Sequence, residues 1–317
     1  MAGKPELDSG IPEVIVITGP TASGKTPLSL KIAQKIKKLR NRDVEIVSAD
    51  SRQVYKYFPI TSAQPSEEEL QMFRHHFINE LEPEESFNAG AFGKQGRELI
   101  EKIFSAGKVP IVVGGSGLYI NSLVYGLFEY EESDAGEFEV KQVLVRKELY
   151  DRLEKHGLAE LANELKKIDP ETFDSIKEIT DRRIIRALEV YYITGIPVSE
   201  HRKKKIEIKF KPKLYAVEMA REELYDRINM RAEQMIAAGM IEEISDLKDK
   251  GYHYKTHNSL NTVGAKEVFD FLDGKISREL MLELIKQNTR RFAKRQMTWF
   301  RRDENISWVT SADEVDL

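Results

Sequence analysis

The chain has no cysteine in its 317 residues, which excludes disulfides and thiolate metal sites and fits a reducing compartment. It has no run of about 18 apolar residues, the length a membrane-spanning helix needs. Its opening, MAGKPELDSGIPE, has no apolar segment of the kind that secretory signals carry. Net charge is nearly lacking too: 49 basic and 53 acidic side chains leave −4 at pH 7. Overall charge therefore gives no support to a nucleic-acid partner and excludes none, because local basic patches set the field at a binding face. Internal repeats and low-complexity tracts are absent. A cytoplasmic protein without a membrane segment is expected, of one large domain or two smaller ones.

What is present alternates. Residues 14–18 form a short continuous apolar run, as in a strand buried on both faces. A glycine-bearing break follows, and then Leu28, Ile32, Ile36 and Leu39 recur at helical spacing. Residues 45–50 and 109–113 read as further strands, the second running into Gly114-Gly115-Ser116-Gly117, and 92–104 as a helix. Strand, glycine turn and helix, repeated, is the α/β pattern of a parallel sheet flanked by helices. From about residue 131 to 201 the signal is helical and highly charged, with segments at 140–156, 158–167 and 182–193. A strand pattern returns at 213–219, helices at 222–238, 241–250 and 279–302, and a last strand at 306–309.

The break after the first strand is Gly19-Pro20-Thr21-Ala22-Ser23-Gly24-Lys25-Thr26, a complete G-x-x-x-x-G-K-[ST] P-loop in its required strand–helix context. The glycines let the loop curl so that successive backbone N–H groups point at phosphate oxygens. The next helix adds free N–H donors and the positive end of its dipole. Lys25 supplies a point charge, and the Thr26 hydroxyl can hold Mg²⁺. Pro27 is tolerated in the first helical turn, where its missing N–H has no partner to lose. The expected fold is thus a P-loop NTPase-like core over 13–130 and 206–317, with a tail over 1–12 and an inserted all-helical domain over 131–205. A bare P-loop points to a nucleotide kinase or another ATP-binding enzyme. Asp50, at the carboxyl end of the second strand, lies where α/β sheets bind ligands. Its position alone fits a helix N-cap, a Mg²⁺ ligand or a general base.

GPTASGKT, SADSRQVY, HHF at 75–77, VGGSGLYINSLVYGL, RRIIRALEVYYITG and KRQMTWFRR, in that order, resemble the tRNA dimethylallyltransferases, also called tRNA isopentenyltransferases. The resemblance runs from about Val14 to Trp308. It implies transfer of a dimethylallyl group from dimethylallyl diphosphate to the exocyclic N6 amine of the adenosine 3′-adjacent to the anticodon. Asp50 then matches the family's general base, and Thr21 a hydroxyl beside the reacting bond. Arg231, otherwise read as a solvated helix residue, matches an arginine that reaches the diphosphate. Gly19 to Thr26 grip that diphosphate, with Mg²⁺ at Thr26. The implied tRNA contacts, to the anticodon stem-loop, are Asp50, Ser51, Arg52, Gln53, Ser116, Arg146, Arg182, Arg183, Arg186, Lys294 and Arg295.

Several positions depart from the family pattern. Ser116 replaces a threonine, Arg182 a glutamine and Ala265 a tyrosine, while Phe58 and Pro59 stand where a glycine-containing turn is usual. Two basic stretches complete the expectation. Residues 201–213 carry seven Lys or Arg and one acid. Residues 290–302 carry six basic residues and no acid, interleaved with Phe292, Trp299 and Phe300, a mixture suited to RNA backbone and unstacked bases. The alternative for that helix is that its aromatics pack inward. His75-His76 is read as no metal pair, since adjacent side chains diverge in a strand. A monomer is expected, because an asymmetric RNA needs one binding face. The competing reading is a nucleotide kinase or a prenyltransferase acting on free adenine nucleotide.

Overall fold

The computed structural model describes residues 11–126, 135–203 and 206–317. Most of the expected tail (residues 1–10) and, within the expected insertion, 131–134 with Lys204 and Lys205 lie outside the described residues. The chain divides into two compact units, one of Met1–Tyr125 with Ile208–Leu317, the other Gly126–Glu207.

The strands are β1 (Glu13–Thr18), β2 (Val44–Ser48), β3 (Arg74–His76), β4 (Val109–Val113), β5 (Lys211–Val217) and β6 (Ile306–Val309). In the first unit, α1 (Lys25–Arg40), α2 (Pro59–Ser62), α3 (Glu67–Met72), α4 (Ala89–Ser105) and α5 (Gly117–Tyr125) precede the second unit. That unit holds α6 (Ala135–His156), α7 (Leu158–Ile168), α8 (Pro170–Ser175), α9 (Asp181–Thr194) and α10 (Val198–Lys203). The first unit then resumes with α11 (Arg221–Ala237), α12 (Met240–Asp249), α13 (Ala265–Leu272) and α14 (Arg278–Phe300).

The six strands form one sheet in the order β3-β2-β4-β1-β5-β6, every pairing parallel. Helices cover both faces of such a sheet, so its central strands β1 and β4 are largely apolar: Val14, Val16, Ile17, Ile111 and Val112 are fully buried. Leu28, Ile32 and Ile36 bring α1 onto the sheet beside Ile46 and Ile111. Leu39, which the spacing placed on the same apolar face, is instead 71% exposed in the helix's last turn.

The second unit has its own core of Leu149, Leu161, Leu165, Ile184, Ile185 and Leu188. Buried Asp169 organises its turns. One carboxylate oxygen accepts from Thr172 N–H (2.9 Å) and so caps α8, and the other accepts from Ser199 N–H (3.0 Å) to anchor α10. These donors hold its carboxyl below the usual range, outweighing the opposing and larger single effect of burial.

Candidate active site

The carboxyl ends of β2, β4 and β1 lie side by side, and the turn leaving each carries one predicted group. The Gly19–Gly24 loop follows β1, Asp50–Gln53 follow β2, and Gly114–Ser116 follow β4. Backbone bonds stitch these turns together. Gly114 N–H donates to Ile17 O (3.0 Å), and Ser116 N–H to Ala49 O (3.2 Å). The Ser116 hydroxyl in turn accepts from Ser51 N–H at 3.1 Å. The contact between β2 and β4 is close enough to require glycine at 114, where a Cβ would lie 2.1 Å from Ala49 O.

Within the loop, Gly19 (φ 140°) and Gly24 (φ 90°) take the left-handed backbone the sequence leads one to expect. Ala22 does so too, at φ 64°, which costs a non-glycine residue about 1–2 kcal/mol. Its packing on Leu224, Ile228 and Ala293 holds it there. The first bond of α1 runs from Leu28 N–H to Gly24 O (3.1 Å), so Pro27 sacrifices no donor. Ser23 Oγ is buried with no hydrogen-bond partner among the described residues, while the Ser23 N–H donates to Pro20 O at 3.3 Å.

Lys25 Nζ donates to Pro20 O at 2.7 Å. Burial pushes its pKa down to about 8; Asp50 opposes the shift and Arg231 adds to it. Burial also lowers Arg231 and Arg52, each again opposed by Asp50, and both guanidiniums stay charged. One carboxylate, Asp50, thus sits within electrostatic reach of three cations. Its Oδ1 accepts from Arg52 N–H at 2.9 Å, a turn-forming bond rather than a helix cap. Thr21 and Thr26 are both half-buried.

The remaining predicted residues are distributed as follows. The Arg52 side chain donates to the carbonyls of Asn258 (2.7 Å), Ser259 (3.2 Å) and Asn261 (3.3 Å). Gln53 accepts from the Ser48 hydroxyl and donates to Ala63 O. In the second unit, Arg182 and Arg183 are exposed on the first turn of α9. Arg146 and Arg186 both reach buried Glu189, at 2.7 and 3.2 Å. On α14, Ala293, Gln296 and Phe300 face inward, while Lys294, Arg295, Phe292 and Trp299 are exposed. The basic–aromatic helix therefore divides its rings between both alternatives. Arg295 lies over the Phe292 ring at 5.7 Å.

Four cations of the 201–213 stretch are paired with carboxylates: Lys203 with Glu200, Lys209 with Glu101, and Lys211 and Lys213 with Glu13. His76 is paired with buried Glu45 at 2.6 Å, and Lys108 with the other oxygen of the same carboxylate at 2.6 Å. At the departures, Tyr57 turns the chain at φ 73° ahead of buried Phe58, and Ala265 is fully buried at the start of α13.

Three ties had no signal in the sequence, because each joins distant positions. They are Arg52 to the 258–261 segment, Glu243 to the amides of Ile60 and Thr61 (both 2.8 Å), and Gln296 to Thr21 N–H (2.8 Å).

Fold and loop together define a P-loop α/β protein whose sheet carries the Gly19–Thr26 loop at the end of β1 and a carboxylate at the end of β2, with β4 between the two strands. The IPP transferase family model matches residues 53–303, and the chain belongs to that family. It is 42% identical over 307 residues to the tRNA dimethylallyltransferase of Acetivibrio thermocellus, covering 96% of this chain and 93% of the relative. With that of Natranaerobius thermophilus it is 38% identical over 306 residues, covering 96% and 89%. Among solved structures, the tRNA isopentenylpyrophosphate transferase of Bacillus halodurans superposes with a TM-score of 0.66 at 34% identity, covering 96% of this chain and 91% of that one. A eukaryotic dimethylallyltransferase solved acting on tRNA gives 0.75 at 30% identity, covering 95% and 74%.

Proposed function

We propose that the chain is a tRNA dimethylallyltransferase: it transfers the dimethylallyl group of dimethylallyl diphosphate to the exocyclic N6 amine of the adenosine 3′-adjacent to the anticodon, releasing diphosphate. The observation that carries this reading is the meeting of the Gly19–Thr26 loop with Asp50, which lies within electrostatic reach of Lys25 and Arg231. The amine is a weak nucleophile, because its lone pair is delocalised into the ring. As its nitrogen bonds to the allylic carbon, the carbon–oxygen bond breaks and both electrons leave with the diphosphate. Asp50 takes the amine proton. The loop amides, Lys25 and Arg231 stabilise the charge growing on the leaving oxygens, and the Thr21 hydroxyl lies beside the reacting bond.

Thr26 is the residue that would hold Mg²⁺. Its hydroxyl oxygen is a hard donor of the kind Mg²⁺ takes, and an ion held there would have diphosphate oxygens and water available as further ligands. Bound in that way it supplies neutralising charge to the leaving group. ATP shares the diphosphate and binds, at most, as a competitor of the allylic donor.

The acceptor is held by its anticodon stem-loop: Ser51, Arg52, Gln53 and Ser116 frame the target nucleotide. Arg146, Arg182, Arg183 and Arg186 of the helical unit, with Lys294 and Arg295 of α14, meet the RNA backbone. The enzyme works as a monomer in the cytoplasm; no described helix is long and apolar enough to cross a membrane. The test is incubation with unmodified tRNA and labelled dimethylallyl diphosphate, beside labelled ATP and free AMP. Label in tRNA is expected. Label on AMP alone, or ATP turnover stimulated by tRNA without prenylated product, would overturn the reading.

A further inference from the structure

Gln296 lies in α14, 7% exposed, between Arg295 and Met297 and one turn before Trp299 and Phe300. Its side-chain amide is used at both ends. Oε1 accepts from Thr21 N–H at 2.8 Å, and Nε2 donates to Gly115 O at 2.8 Å in a buried bond. Only this orientation satisfies both neighbours, since the flipped amide would set N–H against N–H and oxygen against oxygen. The fit is tight on the Gly115 side as well: a Cβ there would lie 2.6 Å from Nε2, which accounts for glycine at 115 without any special backbone angle.

The two atoms held apart by this one amide belong to different turns. Thr21 is in the diphosphate loop after β1. Gly115 precedes Ser116, whose hydroxyl accepts from Ser51 N–H next to Asp50. A continuous set of bonds therefore runs from the donor loop through Gln296 to the turn carrying the acceptor hydroxyl, and on to the carboxylate. Lys25 Nζ closes the same space, 3.7 Å from where a Gly115 side chain would begin. No other side chain is bonded to both turns among the described residues.

We infer that Gln296 is a positioning residue that fixes the register between the donor loop and the acceptor-side turn, and that it makes no contact with RNA. The inference rests on the proposed function for what each turn meets. The amide touches neither ligand; it sets the distance between the groups that do. Misplacement of reacting groups by about 1 Å can cost roughly 100-fold in rate, whereas the loop's own grip on diphosphate, built from Lys25 and local amides, survives such a shift.

The test uses the full chain. Gln296→Met keeps the volume and removes both bonds. Its single-turnover transfer rate is expected to fall about 10- to 100-fold, with affinity for dimethylallyl diphosphate and for tRNA each within about threefold of wild type. Gln296→Glu supplies a switch: the neutral carboxylic acid can accept from Thr21 and donate to Gly115 O, but the carboxylate cannot donate. Its rate relative to wild type is expected to recover as pH falls, while the ratio for Gln296→Met stays flat. Hydrogen exchange of the peptide over residues 19–25 reads the tie without any activity and should quicken about tenfold or more in Gln296→Met. Wild-type transfer that is absent from the start would count against the proposed function alone, because the exchange readout still decides this inference. A transfer rate within threefold of wild type overturns it. So does unchanged exchange, a parallel loss of tRNA affinity, or a pH-independent Gln296→Glu ratio.

Discussion

Raising the pH through 8 removes a proton from Lys25 in the ligand-free chain, because burial pushes its pKa down to about 8. An anionic diphosphate beside Nζ favours the protonated form, so binding above that pH must take a proton up. The direction follows: affinity for dimethylallyl diphosphate is full below the free-state pKa and falls as pH rises above it. At pH 7 about nine-tenths of the lysine is charged, and at pH 9 about one-tenth. If only the charged form grips the ligand, affinity drops ~10-fold across that interval, or ~1.4 kcal/mol. Calorimetry without tRNA avoids turnover, and at pH 8.5 should record uptake of about three-quarters of a proton. Lys25→Arg cannot deprotonate in this range and should bind with an affinity almost independent of pH. Asp50 opposes the shift, so Asp50→Asn should move the fall to lower pH. A wild-type profile as flat as that of Lys25→Arg would refute the reasoning, since the ammonium would then be charged throughout.

Asp50→Asn should also retain donor and tRNA binding yet slow single-turnover transfer by about 10²–10⁴-fold; a loss of less than tenfold would remove Asp50 from the role of base. Binding of tRNA should weaken steeply with salt, at roughly −0.7 to −0.9 in log–log slope per phosphate neutralised. Arg182→Ala with Arg183→Ala should flatten that slope by about one or two units, and an unchanged slope would leave both as solvated surface. Glu189→Ala strips Arg146 and Arg186 of their shared carboxylate. Both arginines are about half exposed and can rehydrate, so urea titration should record a loss of ~1–3 kcal/mol, below the cost of orphaning a fully buried charge.

The strands were legible because a parallel sheet buried on both faces demands uninterrupted apolar runs, and 14–18 and 109–113 are such runs. The loop after β1 was legible because its whole motif, Gly19 to Thr26, is contiguous in sequence. Its curvature was less so: glycines announced Gly19 and Gly24, whereas Ala22 adopts the same handedness through contacts with α11 and α14. β3, only three residues long, offered too little pattern to be named as the sixth strand. The ion pairs of Lys209, Lys211 and Lys213 were equally hidden, since their acids come from Glu101 and Glu13. Gln296 illustrates the general limit. Beside Lys294 and Arg295 it reads as part of an RNA-facing motif, and only the register of α14 turns it inward to a loop 275 positions away.

The ends of the helical unit bear on how the chain comes to be folded at all. β1 must wait for β5, its neighbour in the sheet, which leaves the ribosome only after the whole 126–207 stretch. Gly126 and Ile206 meet closely: a Cβ on the glycine would lie 2.9 Å from that of Ile206. Once the unit has closed on its own core, the connection of residues 114–210 between β4 and β5 loses 126–207 from its effective length. Closing about 15 residues instead of about 97 lowers the entropic barrier to pairing by about 1.5–2 kcal/mol. The helical unit thereby acts as a clasp during synthesis, drawing in the strand that pairs with the free edge of β1.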